Sequence, residues 1–191
     1  MSIALISTRI QAYSSPRRSP VLWMGMVVFL INGMDLLSTW IVSPNLEGEW
    51  NLLQRVFGLG WLGLFAAKLI GGAMAVAGYS FYLRHRRNCF PLEKLQDYSS
   101  FVRFFTFGPE EPMLSPQGLT RLGVSLGYFW AAMQVLVLWV ALDNMLILQG
   151  YFCPIRNVSE MGYHMLQSAL IGGAAVMLYY RVNFRLYNQN P

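Results

Sequence analysis

From Val21 to Val42 the chain runs for twenty-two residues with one charged side chain, Asp35, among them. A helix of that length, at ~1.5 Å per residue, crosses the ~30 Å hydrocarbon core of a bilayer. Three further apolar runs follow, at about 52–83, 122–149 and 160–181. In lipid every backbone N–H and C=O must be satisfied within the protein, which leaves such segments the helix as their conformation. The expectation is an all-α integral membrane protein with four transmembrane helices at about 21–43, 52–83, 122–149 and 160–181. Of 191 residues only 12% are charged, against roughly 25% in soluble domains, so no stretch remains to build a separate soluble unit. One membrane domain, 21–183, is expected, between an amino-terminal tail 1–20 and a carboxy-terminal tail 184–191.

The net charge of +5 has a topological reading. Arg9, Arg17, Arg18, Arg84, Arg86, Arg87, Lys94, Arg103, Arg121, Arg181 and Arg185 fall in the two tails, the middle loop 84–121 or the adjoining run ends, whereas the opposite turns hold Arg156, with Arg55 nearby. Basic residues gather on the cytoplasmic side, so both termini are expected there, and the charge does not imply nucleic acid. Anionic lipid head groups are natural partners for this basic face. In the middle loop Leu92, Leu95, Tyr98, Phe101, Val102 and Phe105 keep helical spacing, which predicts an interfacial amphipathic helix. Ile3, Ile6, Ile10 and Tyr13 allow either a short surface helix or a disordered tail. Trp23, Trp40, Trp50, Tyr79, Tyr82, Tyr151, Tyr179 and Tyr180 lie near the run ends, where an aromatic belt belongs. Cys89 and Cys153 fall on opposite sides and are expected as lone thiols.

Polar residues inside apolar runs carry the functional signal. Asn32, Asp35 and Thr39 stand at i, i+3 and i+7, on one face of the first helix. Lys68 lies at nearly the same depth on the antiparallel second helix. A lone charge at the bilayer centre costs roughly 2.5–3.5 kcal/mol on insertion scales, so Asp35 and Lys68 are expected to pair. The pair is either structural, or a relay or acid–base couple. Nearer the outer side, Asp143 and Asn144 close the third run while His164 and Gln167 open the fourth. A carboxylate beside an imidazole is a common mutual satisfaction and also the orienting device of general bases and metal ligands. Glu49 and Asn51, in the turn between the first two runs, can join either set.

The pattern Asn32-x-x-Asp35-x-x-x-Thr39, then Glu49-x-Asn51, then Lys68 in the next run resembles an uncharacterised family of small bacterial multi-pass membrane proteins, a domain of unknown function. The likeness covers about residues 29–83, and Leu52 stands where the family pattern has proline. It implies a bacterial inner membrane and marks Asn32, Asp35, Thr39, Glu49, Asn51 and Lys68 as a shared polar set, without supplying an activity.

With two histidines, one of them the loop residue His85, a bis-histidine haem within one chain is excluded. His164 alone can offer one axial ligand to a haem or chlorophyll-type pigment. No Cys-x-x-Cys, His-Glu-x-x-His, phosphate loop or Gly-x-Ser-x-Gly occurs, so neither metal nor cofactor is predicted. Two readings stand. One is a non-catalytic subunit or accessory protein that packs against and stabilises a larger membrane complex, with Phe101, Phe104, Phe105 and Phe107 as a docking surface. The other is a self-contained membrane enzyme or transporter using Asp35, Lys68, Asp143 and His164 on a lipid-soluble substrate or ion.

Overall fold

A computed structural model describes residues 18–46, 58–95, 97–108, 115–151 and 160–189. Among these the regular elements are all helical: α1 (Arg18–Val42), α2 (Gly60–His85), a 3₁₀ turn (Arg86–Cys89), α3 (Tyr98–Phe107), α4 (Pro116–Ala132), α5 (Gln134–Leu148) and α6 (Glu160–Asn188). Three stretches are long and apolar enough to cross a membrane: Ser19–Val42, Gly60–Cys89 and the combined α4 and α5, Pro116–Leu148. They realise the first three expected spans. The fourth differs from expectation. At 29 residues α6 is long, but Tyr163, His164 and Gln167 near its start, and Arg181, Asn183 and Arg185 toward its end, dilute its apolar character. Among the described residues three helices, not four, therefore meet the requirement.

The second span also begins later than its apolar run. Gly58 and Gly60 adopt φ of 61° and 59°, a left-handed backbone that no continuing α-helix allows, so α2 starts at Gly60. Residues 52–57 lie outside those described. The third span has one break in its regular bonding. Met133 keeps right-handed helical angles, φ −61° and ψ −17°, but its carbonyl accepts from the Leu136 N–H at 3.0 Å as well as from the Val137 N–H at 3.3 Å, a local tightening of the turn. The expected amino-terminal helix or tail also lies outside the described residues.

Contacts along the helices set an antiparallel order. Lys68 meets Asp35, and Trp61 Nε1–H donates to the Pro44 carbonyl at 2.8 Å, so α1 and α2 run in opposite directions. Tyr82 and Asn183 meet at the other end, where α1 starts and α6 finishes. The closest backbone approach joins α2 to α4. A Cβ placed on Gly78 would fall 2.9 Å from the Gly127 Cα, so neither position accepts a side chain without parting the helices. The sequence Leu-Ile-Gly-Gly-Ala occurs twice, at 69–73 in α2 and at 170–174 in α6, and the two copies are not used alike. A Cβ on Gly72 would lie 3.0 Å from Val28, whereas Gly172 and Gly173 face open space.

The end of the bundle that holds the α2 and α6 C-termini, the inner end in the expected topology, is closed by rings. Tyr82, Phe101, Phe105, Val124, Tyr179 and Tyr187 form a buried cluster with Cys89. Phe101 and Phe105 stack with centroids 5.2 Å apart, and Tyr179 packs on Phe105 at 5.4 Å. This corrects two expectations. Tyr82 and Tyr179 are interior residues and not part of a lipid-facing belt. The apolar face of α3 is consumed inside the protein, with Phe101 and Phe105 buried and Phe104 half-buried, which leaves Phe107 exposed and no four-ring docking surface. The outer face of α3 carries Ser99, Ser100, Arg103 and Thr106, so it acts as a cap with a polar exterior.

Asp97 starts that cap. Its carboxylate accepts from the Ser100 N–H at 2.7 Å and the Ser99 hydroxyl at 2.6 Å, and these bonds pull its pKa down to about 2. A depressed carboxylate stabilises at every pH above its ordinary range and loses that effect only as pH falls through the lowered value. Protection of the α3 amides from hydrogen exchange is therefore expected to stay flat between pH 5 and 8, and to drop in Asp97→Ala. A leucine at Gly78 is expected to destabilise by at least the ~1–3 kcal/mol of overpacking. Gly172→Leu should leave the detergent melting temperature unchanged.

Candidate functional site

Seven residues from its outer end, ~10 Å along the helix, α1 presents Asp35 to the bundle. Lys68, eight residues into α2 and so ~12 Å from that helix's start, meets it at the same level. Lys68 Nζ lies 2.5 Å from Asp35 Oδ2, with 4% of the Asp35 side chain and 21% of the Lys68 side chain accessible. The expected pair thus forms directly. In a segment bounded by lipid its partners hold each other because neither has water to fall back on.

The rest of the polar layer is built from α1 and α5. Asn32 Nδ2 donates to Gln134 Oε1 at 2.8 Å and, one turn back, to the Val28 carbonyl at 2.8 Å. Gln134 follows the break at Met133 directly, so the one irregularity in the third span sits beside its buried amide. One turn nearer the outer side, Asn144 Nδ2 donates to Ser38 Oγ at 3.3 Å, and Ser38 donates to the Asp35 backbone carbonyl at 3.0 Å. Thr39 is buried beside them. The face Asn32, Asp35, Thr39 therefore points inward as its spacing implies. Ser38, Gln134 and Tyr163 complete the layer and were not among the expected residues. A readable signal existed for two of them: Ser38 follows Asp35 by three positions, and Gln134 is an isolated amide inside an apolar run.

The outer set joins α5 to α6 through a residue the sequence reading passed over. Tyr163 OH donates to Asp143 Oδ1 at 3.1 Å, while His164, its neighbour, sits with Nδ1 3.3 Å from Gln167 Oε1, a bond that needs a proton on Nδ1. The other end of the Gln167 amide, Nε2, is buried without a partner. Glu49 and Asn51 lie outside the described residues, so their membership in either set has no structural counterpart here.

At the inner end Arg121, expected as a topology charge, is a structural clamp. It is 8% exposed, donates through Nη1 to the carbonyls of Phe104 at 2.6 Å and Cys89 at 3.3 Å, and lies 4.7 Å from the centre of the Phe104 ring. One guanidinium thereby ties α4 to the end of α3 and to the 3₁₀ turn. Asn183, fully buried, accepts from Tyr82 OH at 3.2 Å and donates to the Tyr179 carbonyl at 2.7 Å. Tyr187 OH donates to the Glu93 carbonyl and accepts from the Leu95 N–H, which pins the loop before α3.

Compared with known proteins, the chain matches no family model, no curated protein and no solved structure. Its site is accordingly read from geometry. Asp35→Asn leaves the Lys68 ammonium buried without a counter-charge and is expected to cost about 3–5 kcal/mol. Asp35→Leu combined with Lys68→Met leaves no unpaired charge and should recover most of that loss. Melting temperatures of the purified variants in one detergent would check this, and two neutral single substitutions would remove the structural role from the pair.

Proposed function

We propose that this protein is a non-catalytic subunit or accessory protein of a membrane complex, embedded in a bacterial inner membrane with both ends of its bundle's chain on the cytoplasmic side. The observation that carries the reading is the way the polar layer ends. Asn144 donates to Ser38, and Ser38 donates to a backbone carbonyl and not to the Asp35 carboxylate. A chain that stops on a carbonyl, through an amide that exchanges no proton, braces helices but does not relay charge. The ion pair beside it is a direct contact, which suits a fixed brace between α1 and α2.

The exterior supports the same reading. Between its polar start and its arginine-bearing end α6 exposes Met165, Leu166, Leu170, Val176, Met177 and Leu178, while Gln167, Tyr179 and Asn183 are buried. That inversion, apolar outside and polar inside, suits a helix that enters the bilayer against α4 and α5 as the fourth member of the bundle. Exposed Arg84, Arg87, Lys94, Arg103, Arg181 and Arg185 stand at or near the inner end, where anionic head groups would meet them.

A second reading, a transporter or enzyme acting at the outer set, is favoured by the buried Gln167 Nε2, which has no hydrogen-bond partner, beside His164 and the Tyr163–Asp143 pair. Native extraction in a mild detergent separates the two. The accessory reading expects the protein to elute with a larger assembly in fixed ratio, and expects Asp35→Asn to reduce its level in that assembly. Elution alone, with His164→Gln abolishing an ion or solute flux while the protein stays folded, would favour the second.

A further inference from the structure

The inner half of α6 has two faces of opposite use. Tyr179, Asn183 and Tyr187, four residues apart, are buried against the bundle. Leu170, Ala174, Met177, Leu178, Arg181 and Arg185 stand at i, i+4, i+7, i+8, i+11 and i+15, and all are exposed. At 3.6 residues per turn these positions fall within one arc of ~100°. The arc is apolar as far as Leu178 and ends in two guanidinium groups one turn apart, ~6 Å between their Cβ atoms. Its length matches one leaflet. From Leu170 to Arg181 the helix rises ~16 Å, close to half of the ~30 Å hydrocarbon core. A chain lying along Leu170, Met177 and Leu178 therefore brings its head group to the level of the arginines.

The neighbouring helices bring no counter-charge. This half of α6 meets α2 through Tyr82 and Asn183, α3 through Thr106 and Tyr180, and α4 through Ser125 and Tyr179. None of α2, α3 and α4 contains an acidic residue, and α6 has none after Glu160. The loop before α3 holds Glu93 and Asp97. Lys94 follows Glu93 directly, and the Asp97 carboxylate is occupied by Ser99 and Ser100. The complement of Arg181 and Arg185 is therefore an anion from outside the bundle.

We propose that this face of α6 is a binding strip for a phospholipid of net negative charge, its phosphate held by Arg181 and Arg185 and one acyl chain along Leu178, Met177 and Leu170. The proposal rests on the reading that α6 enters the bilayer with this end at a membrane face. An acidic protein segment answers the arginines but leaves the apolar length beside them unused. A zwitterionic lipid fits the length but carries its own ammonium and leaves the pair of charges uncompensated. The anionic lipid does both, and it offsets the two arginines that dilute the apolar character of α6.

The test uses the full chain in a non-ionic detergent, freed of native lipid and titrated with phosphatidylglycerol or with phosphatidylcholine of the same acyl chains. Phosphatidylglycerol is expected to raise the melting temperature saturably and to bind about tenfold more tightly, since each basic residue at an anionic surface adds roughly fivefold. Arg181→Gln with Arg185→Gln should abolish that preference. Lys94→Gln with Arg103→Gln, which removes the same charge from the other side of the inner end, should leave it in place. Equal affinity for the two lipids in the unaltered chain overturns the proposal, and that comparison needs no variant to fold. A preference that survives in the α6 variant, or is lost as fully in the Lys94 and Arg103 variant, also overturns it. So does an equal rise with inorganic phosphate or polyglutamate. In vesicles, labelling of Met177→Cys by a water-soluble maleimide beyond the level of the unaltered chain ends the reading of α6 as a membrane helix and the proposal with it. Equal lipid affinities without such labelling end the proposal alone.

Discussion

A carboxylate and an ammonium placed within apolar helices must find each other, and most of the outer half of this protein follows from that requirement. Asp35 and Lys68 bring α1 and α2 together at one depth, and the residues around them extend the contact to α5. Hydrocarbon makes the arrangement strict, since an unpaired group there has no solvent to replace a missing partner. The result is a molecule turned inside out relative to a soluble one, with Leu30, Phe29, Leu62 and Leu170 on the outside and Asp35, Gln134 and Asn183 within.

The two halves of the bundle are held by different forces. Toward the outer end α1 packs along α2 and α5 and the contact is fixed by directional polar pairs, with a shallow cleft beside Trp40 and Trp61. Toward the inner end the packing is dense and aromatic, with Phe105 against both Phe101 and Tyr179 and Gly78 against Gly127 bringing α2 and α4 to backbone contact. Arg121 and Asn183 satisfy carbonyls inside that packing. An aromatic inner end suits a cap such as α3, whose ten residues are too short to stand as a helix without something to pack on.

An aromatic inner end and a polar-braced outer one bear on function. The polar layer terminates on backbone and side-chain partners within the protein, which fits a brace better than a relay.

How far all this was legible in the sequence depends on the range of the interaction. Apolar run length gave the helical class and the first and third spans to within a few residues, because the hydrocarbon thickness sets that length directly. The stripe Asn32, Asp35, Thr39 and its partner Lys68 were readable because helical periodicity and equal depth leave one another as the nearest remedy for a costly group. What could not be read was the assignment of residues whose character suits two environments. Tyr82, Tyr179 and the phenylalanines of α3 are equally at home against lipid, a partner or each other, and only the tertiary packing directed them inward. The glycine pairs of the two Leu-Ile-Gly-Gly-Ala repeats are identical in sequence, yet a side chain would meet a neighbouring helix only at Gly72 of the four. Local chemistry determined which residues had to be paired. Only the three-dimensional arrangement decided which of many interchangeable apolar surfaces would be buried, because dispersion and hydrophobic contact carry no label that names a partner.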